Sequence, residues 1–243
     1  MSKIVAITSS KGGVGKSTIA NHLARTMASA GEKTVIVETD VGLRGLDILL
    51  NMPNIIYDIY DVLNNNCKIE NAIQIDTHNK NLALLPAPLN FNYKLNFKQF
   101  KHILKILKHD YKNIVIDLNC NYQLNAQLIE IVNLMLIITT PDPICVRDIA
   151  LFVNYLNKYK IDLKNTRLII NKLQKNLVRK NIFKNIDEII DETTLQLIGV
   201  IPQNKKLEIA NFCGKNLDQH CNLKKIFSAI YQRINKNNKK LLI

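Results

Sequence analysis

Residues 4–18 read IVAITSSKGGVGKST. The apolar, β-branched run 4–8 predicts a short buried strand, and a helical pattern over 19–30 follows the glycines. A strand, a glycine-rich turn and a helix in that order build a phosphate cradle. The glycines let backbone N–H groups curl around oxygens, and the helix N-terminus adds partial positive charge. Lys16 is placed to reach β- and γ-phosphates, and the Ser17 hydroxyl to ligate Mg²⁺. Gly12, Gly13, Val14, Gly15 and Thr18 complete the candidate nucleotide-binding loop. Against the usual Gly-x-x-x-x-Gly-Lys-Ser/Thr spacing, Ser10 stands in place of the first glycine and an extra lysine, Lys11, lies inside the loop.

Further segments extend the pattern along the chain. Residues 33–40 (KTVIVETD) read as a second buried strand ending in Asp40, followed by VGLRGLD at 41–47. YDIYDVL lies at 57–63, LLPA at 84–87, NIVID at 113–117, Val146-Arg147-Asp148 after Pro141, LIIN at 168–171 and GVIP at 199–202. Taken together these segments resemble the MinD group of the MinD/ParA family of deviant Walker A ATPases, over nearly the whole chain. The resemblance implies an ATPase using ATP and Mg²⁺, in which Lys11 crosses a homodimer to the partner's nucleotide. It gives catalytic roles to Lys11, Lys16 and Asp40, with Asp40 orienting the attacking water. It gives the metal shell to Ser17, Asp40 and Asp117, Asp117 accepting hydrogen bonds from metal-bound water. The Asn171 amide, with both donor and acceptor, is placed to pair with an adenine edge, and Pro202 to line the base pocket.

Two departures stand out. Gly45 occupies a position where the family usually has asparagine. After the strand acid the family has a small residue and then Pro-Ala-Gly, whereas this chain reads Asp117-Leu118-Asn119-Cys120-Asn121. Asn tolerates left-handed backbone angles, so Asn121 is expected to fill part of the glycine's role. The same departure opens a second reading, a nucleotide-binding scaffold with impaired hydrolysis.

Strand-like runs recur at 4–8, 34–39, 82–85, 113–118, 134–139, 167–171 and 197–201. Helical patterns at 97–109, 145–159 and 223–234 sit among them. This alternation predicts an α/β fold of the P-loop NTPase kind, with a doubly wound, mostly parallel sheet and ligands at the strands' C-terminal ends. A chain of 243 residues at 47% apolar can bury one large core. The expected organisation is a single ATPase domain over 1–234 and a short basic and apolar tail over 235–243. The N-terminus runs straight into a core strand, leaving no room for a signal peptide, and no apolar run is long enough to span a bilayer. The five cysteines form no C-x-x-C pair, which suggests free thiols in a reducing cytosol. Cys120 is expected to be a buried thiol.

The formal net charge is +13. Residues 163–186 carry Lys164, Arg167, Lys172, Lys175, Arg179, Lys180 and Lys184 without an acid, and 219–243 carries six more cations. Such runs attract anionic lipid headgroups or nucleic-acid phosphates, and in a lysine-rich chain they also serve as a solvated face. Leu223, Ile226, Phe227, Ile230 and Ile234 are expected to pack on the core as the last domain helix. The resemblance implies an ATP-dependent switch placing the division septum. It also implies a MinC-like septum inhibitor, a MinE- or DivIVA-like regulator, and reversible attachment to the inner face of the cell membrane. The basic charge keeps a ParA-like or flagellar-placement ATPase acting on DNA or another protein as the rival.

Overall fold

The computed structural model describes residues 2–42, 44–90, 96–120, 122–217, 222–235 and 241. The strands are β1 (Lys3–Ser9), β2 (Thr34–Glu38), β3 (Gln74–Ile75), β4 (Leu82–Leu85), β5 (Asn113–Asp117), β6 (Leu134–Thr139), β7 (Thr166–Leu173) and β8 (Leu197–Pro202). The helices are α1 (Lys16–Ser29), α2 (Leu46–Leu50), α3 (Ile59–Leu63), α4 (Ile69–Ala72), α5 (Phe97–Asp110), α6 (Tyr122–Ile129), α7 (Pro143–Lys158), α8 (Lys175–Arg179), α9 (Ile186–Thr193), α10 (Lys205–Phe212) and α11 (Asn222–Ile234). The strands form one sheet in the order β3-β4-β2-β5-β1-β6-β7-β8. Every pairing is parallel except the short edge pair β3 and β4.

Side-chain alternation divides the core into two layers. Ile4 and Ala6 of β1 pack on one face with Phe100, Ile103 and Leu107 of α5 and with Ile149 and Phe152 of α7. Val5 and Ile7 pack on the other with Ile19, Leu23 and Met27 of α1 and with Phe227 and Ile230 of α11. Burial on both faces explains why the strands read as continuous apolar runs instead of alternating ones. Asn96 caps α5, and Asp142 followed by Pro143 caps α7, so both helices start on local signals. At Gly199 of β8 the sheet and α11 come close: a Cβ there would meet Ile230 Cδ1 at 2.6 Å.

The strand order places β1 between β5 and β6. The chain leaves β1 toward β2 on one side and later crosses to β6 on the other. That reversal opens a crevice at the C-terminal end of β1, where the glycine loop lies.

Two expectations are corrected, and one strand went unread. The first helix begins at Lys16, not at 19, so Lys16, Ser17 and Thr18 form its opening turn. β2 ends at Glu38, which puts Asp40 in the following loop, two residues past the strand. β3, two residues long and antiparallel, carries no periodicity to read. The last helix packs as expected, with Leu223, Ile226, Phe227, Ile230 and Ile234 all buried. Of the 235–243 tail, residues 236–240, 242 and 243 lie outside the described residues, and Leu241 is partly buried against the α5–α7 layer. Among the described residues, no helix is long and apolar enough to cross a membrane.

Candidate functional site

The loop between β1 and α1 is shaped by its glycines and clamped from β7. Gly13 (φ 78°) and Gly15 (φ 100°) adopt left-handed angles that favour glycine. Gly15 is constrained twice, because a Cβ there would lie 2.3 Å from Asn171 Nδ2. Asn171 Nδ2 donates to the Val14 carbonyl at 2.7 Å, and Lys172 Nζ donates to the Gly13 carbonyl at 2.7 Å. Two carbonyls of the loop are thereby held by β7. Lys172 takes left-handed angles itself (φ 57°), beside a register irregularity between β7 and β8. The Val14 side chain is buried in the core, so its part in any phosphate site is through its backbone.

The loop floors a cleft of about 750 Å³. Gly12, Gly13, Gly15, Lys16, Ser17 and Thr18 line its base, and Asn171 and Lys172 its back. Asp40, Gly45, Ile48 and Leu49 form one wall; Asn204, Leu207, Glu208, Asn211 and Phe212 form the other. The second wall belongs to α10 and the turn before it, nearly 200 residues from the loop in sequence. Asn211 ties them together: its Nδ2 donates to Thr18 Oγ1 at 3.0 Å and its Oδ1 lies 3.0 Å from His22 Nε2. Burial pushes the His22 pKa down to about 4, so the ring is neutral and donates to that oxygen. Sequence reasoning missed this wall. Pro202, expected to line the base pocket, ends β8 and is not among the lining residues; Asn204 two residues on is.

Lys16 is 7% exposed, and its ammonium donates to Cys120 Sγ at 3.6 Å. Cys120 also lies 3.7 Å from Ser9 Oγ, and it is exposed. The expectation of a buried thiol is overturned because the residue sits in the loop after β5, beside Lys16 and Ser9, and not in the strand. Asn121 lies outside the described residues. Asp117 closes β5 with 1% exposure, and neither carboxylate oxygen accepts a hydrogen bond. Burial raises its pKa to about 6, with the nearby Ser17 hydroxyl and Lys16 ammonium pulling the other way. Asp40 is raised by burial and lowered by Lys16. Orphaned buried carboxylate oxygens are costly unless something occupies them. With Ser17 and Asp40 alongside, these hard oxygen donors fit a divalent cation and its water shell.

Lys11 is 40% exposed and does not line the cleft of its own chain. It pairs with Asp148 of α7 at 3.5 Å, and Arg147 reaches the same carboxylate at 3.2 Å. Arg44 and Asp47 form an ion pair at 2.9 Å beside the other wall. Several cations of the 163–186 run have local partners. Lys164 pairs with Asp162 at 2.7 Å, Lys184 pairs with Glu192, and Lys172 is on the loop; Lys175, Arg179 and Lys180 are exposed.

Comparison with known proteins gives a consistent result. Residues 5–217 match the CobQ/CobB/MinD/ParA nucleotide binding domain. The putative septum site-determining protein MinD of Guillardia theta is 33% identical over 226 residues, covering 92% of this chain and 83% of that one. The septum site-determining protein MinD of Helicobacter pylori is 33% identical over 243 residues, covering 96% and 91%. Among solved structures, the MinC:MinD cell division protein complex of Aquifex aeolicus superposes with a TM-score of 0.87 at 25% identity. That match covers 100% of this chain and 99% of that one.

Proposed function

Because the chain belongs to the CobQ/CobB/MinD/ParA nucleotide-binding family and is of the MinD type, we propose that it is an ATP-driven dimerising switch acting in placement of the division septum. The cleft takes ATP, with the phosphates on the amide groups of residues 12–18. Lys16 neutralises the β- and γ-phosphates from inside the cleft, and Thr18 stands at its floor. Ser17, Asp40 and Asp117 would hold Mg²⁺, which would supply charge neutralisation for the leaving phosphate. Asp40, half-buried and raised by burial, orients the attacking water. The base is assigned to the side of the cleft between β7 and α10, where Asn171 lines the wall and offers its amide to an adenine edge.

The observation that carries this reading is the separation of the two loop lysines. Lys16 is buried in the cleft, while Lys11 stands outside it on Asp148. A part-exposed ion pair of this kind contributes about 0–1 kcal/mol, so Lys11 leaves Asp148 readily for the stronger charge of a second subunit's triphosphate. Delivery of that cation in trans couples turnover to dimerisation. The dimer associates with the inner face of the cell membrane, a MinC-like inhibitor docks on it, and a MinE- or DivIVA-like regulator controls its release.

Light scattering with and without ATP and Mg²⁺ tests the switch; a chain that stays monomeric with ATP rejects it. Flotation on anionic vesicles set beside DNA retardation tests the surface, and ATP-dependent binding to DNA alone favours the ParA-like reading. The contact of Cys120 with Lys16, in a loop lacking the family's proline and glycine, favours a second reading of slow or absent hydrolysis. Phosphate release equal to that of the Lys11→Ala protein supports that second reading.

A further inference from the structure

Glu38 ends β2 at 1% exposure, paired in parallel register with Asp117, and the mechanism above gives it no task. Its carboxylate joins three segments. Oε1 accepts from Gly45 N at 2.8 Å and Leu46 N at 3.0 Å, and Oε2 accepts from Ala87 N at 3.4 Å. Gly45 and Leu46 open α2, and Gly45 has no side chain with which to cap it. An asparagine there could supply an acceptor itself; with glycine, the acceptor comes from another element. Between Glu38 and Gly45 lie the six residues 39–44, which carry Asp40. That loop is tied at its start by Thr39, whose N and Oγ1 both donate to the Asp117 carbonyl at 3.0 and 2.9 Å. Gly42 N donates to Pro88 O at 2.9 Å in the middle. The Glu38 side chain closes the far end.

We propose that Glu38 is a positioning residue for ATP hydrolysis, its buried carboxylate standing in for the missing cap at Gly45 and so fixing the loop that presents Asp40. A carboxylate buried beside a second acid is a costly way to stabilise a strand end, and an apolar side chain of the same shape would do so more cheaply. What the carboxylate adds is an acceptor aimed at two particular amides.

This inference rests on the ATPase reading, so the test separates the two. The full chain is compared with Glu38→Gln and Glu38→Met. Gln keeps an acceptor for Gly45 and Leu46, whereas Met keeps the volume and removes it. Met also removes a buried charge, which offsets part of the cost of leaving the Gly45, Leu46 and Ala87 amides unpaired. With ATP and Mg²⁺, Glu38→Met is expected to lower kcat about tenfold or more with KM within about threefold, while Glu38→Gln stays within about threefold of wild type in both. Hydrogen exchange at the Gly45 and Leu46 amides is expected to quicken about tenfold in Glu38→Met and not in Glu38→Gln, with α1 amides unchanged. Wild-type kcat in Glu38→Met, equal loss of kcat in both variants, or unchanged exchange at 45 and 46 overturns the proposal. A wild-type chain without turnover sinks the ATPase reading by itself, and the exchange comparison then still decides whether Glu38 holds the loop.

Discussion

At the scale of single residues, the site is held by contacts that leave little freedom. Gly15→Ala forces a Cβ onto Asn171 Nδ2 and strains a backbone at φ 100°. The expected cost is about 1–3 kcal/mol, read by urea unfolding, with nucleotide affinity lowered about tenfold or more because the loop can no longer curl. Lys11→Ala behaves differently. Lys11 lies outside its own cleft, so nucleotide affinity measured by titration of a fluorescent ATP analogue stays within about threefold of wild type. ATP-dependent dimerisation by light scattering is lost, and phosphate release falls with it, by about tenfold or more. Lys16→Ala, in contrast, loses the nucleotide itself. A Lys11→Ala protein that dimerises normally would count against delivery of charge in trans.

At the scale of elements, α11 and β8 illustrate how a close approach fixes packing. The absence of a side chain at Gly199 lets Ile230 lie against the sheet, and Ile230 is 1% exposed. Ile230→Ala is expected to destabilise the protein by about 2–5 kcal/mol through the cavity it leaves. Chemical denaturation measures this, and nucleotide affinity changes little because Ile230 does not line the cleft. The first turn of α3 is a smaller case. Asp58 and Asp61 form a reciprocal capping box, and Asp58→Ala should cost about 1 kcal/mol in the same measurement.

For the whole molecule, buried acids and one buried histidine give stability opposite dependences on pH. Burial raises the Glu38 pKa from 4.5 to about 7, against backbone hydrogen bonds from Gly45 and Leu46 and with some help from the Asp117 charge. A raised carboxyl pKa means that the folded chain binds a proton more tightly than the unfolded one. Its contribution is complete below 4.5 and is lost as pH rises through 7. Acidifying the nucleotide-free protein from pH 8 to 6.5 therefore raises its melting temperature by about 2–4 °C, and Glu38→Gln abolishes most of that rise. His22 acts in the opposite sense. Its folded pKa lies below its unfolded value of 6.5, so its contribution is present above 6.5 and is lost as pH falls toward 4. Calorimetry across pH 4–8 resolves both limbs.

The glycine loop, seven of the eight strands and the four longest helices were legible in the sequence because their causes are local. Consecutive β-branched runs, glycines at fixed spacing, and caps such as Asp142 before Pro143 act within a few residues of themselves. The family followed from the same local motifs, and the roles of Asp40 and Asp117 came with that resemblance, whereas their approach to Lys16 and Ser17 depends on β5 pairing between β1 and β2. Long-range folding decided what these residues touch. Asn211 reaches Thr18 across 193 positions, Lys11 meets Asp148 of α7, and Asn171 and Lys172 clamp a loop more than 150 residues upstream. The exposure of Cys120, the absence of Pro202 from the cleft and the reach of Glu38 to Gly45 and Ala87 belong to the same class. Side-chain direction and the partner it finds depend on how the sheet brings distant segments together, and no window of contiguous residues encodes that.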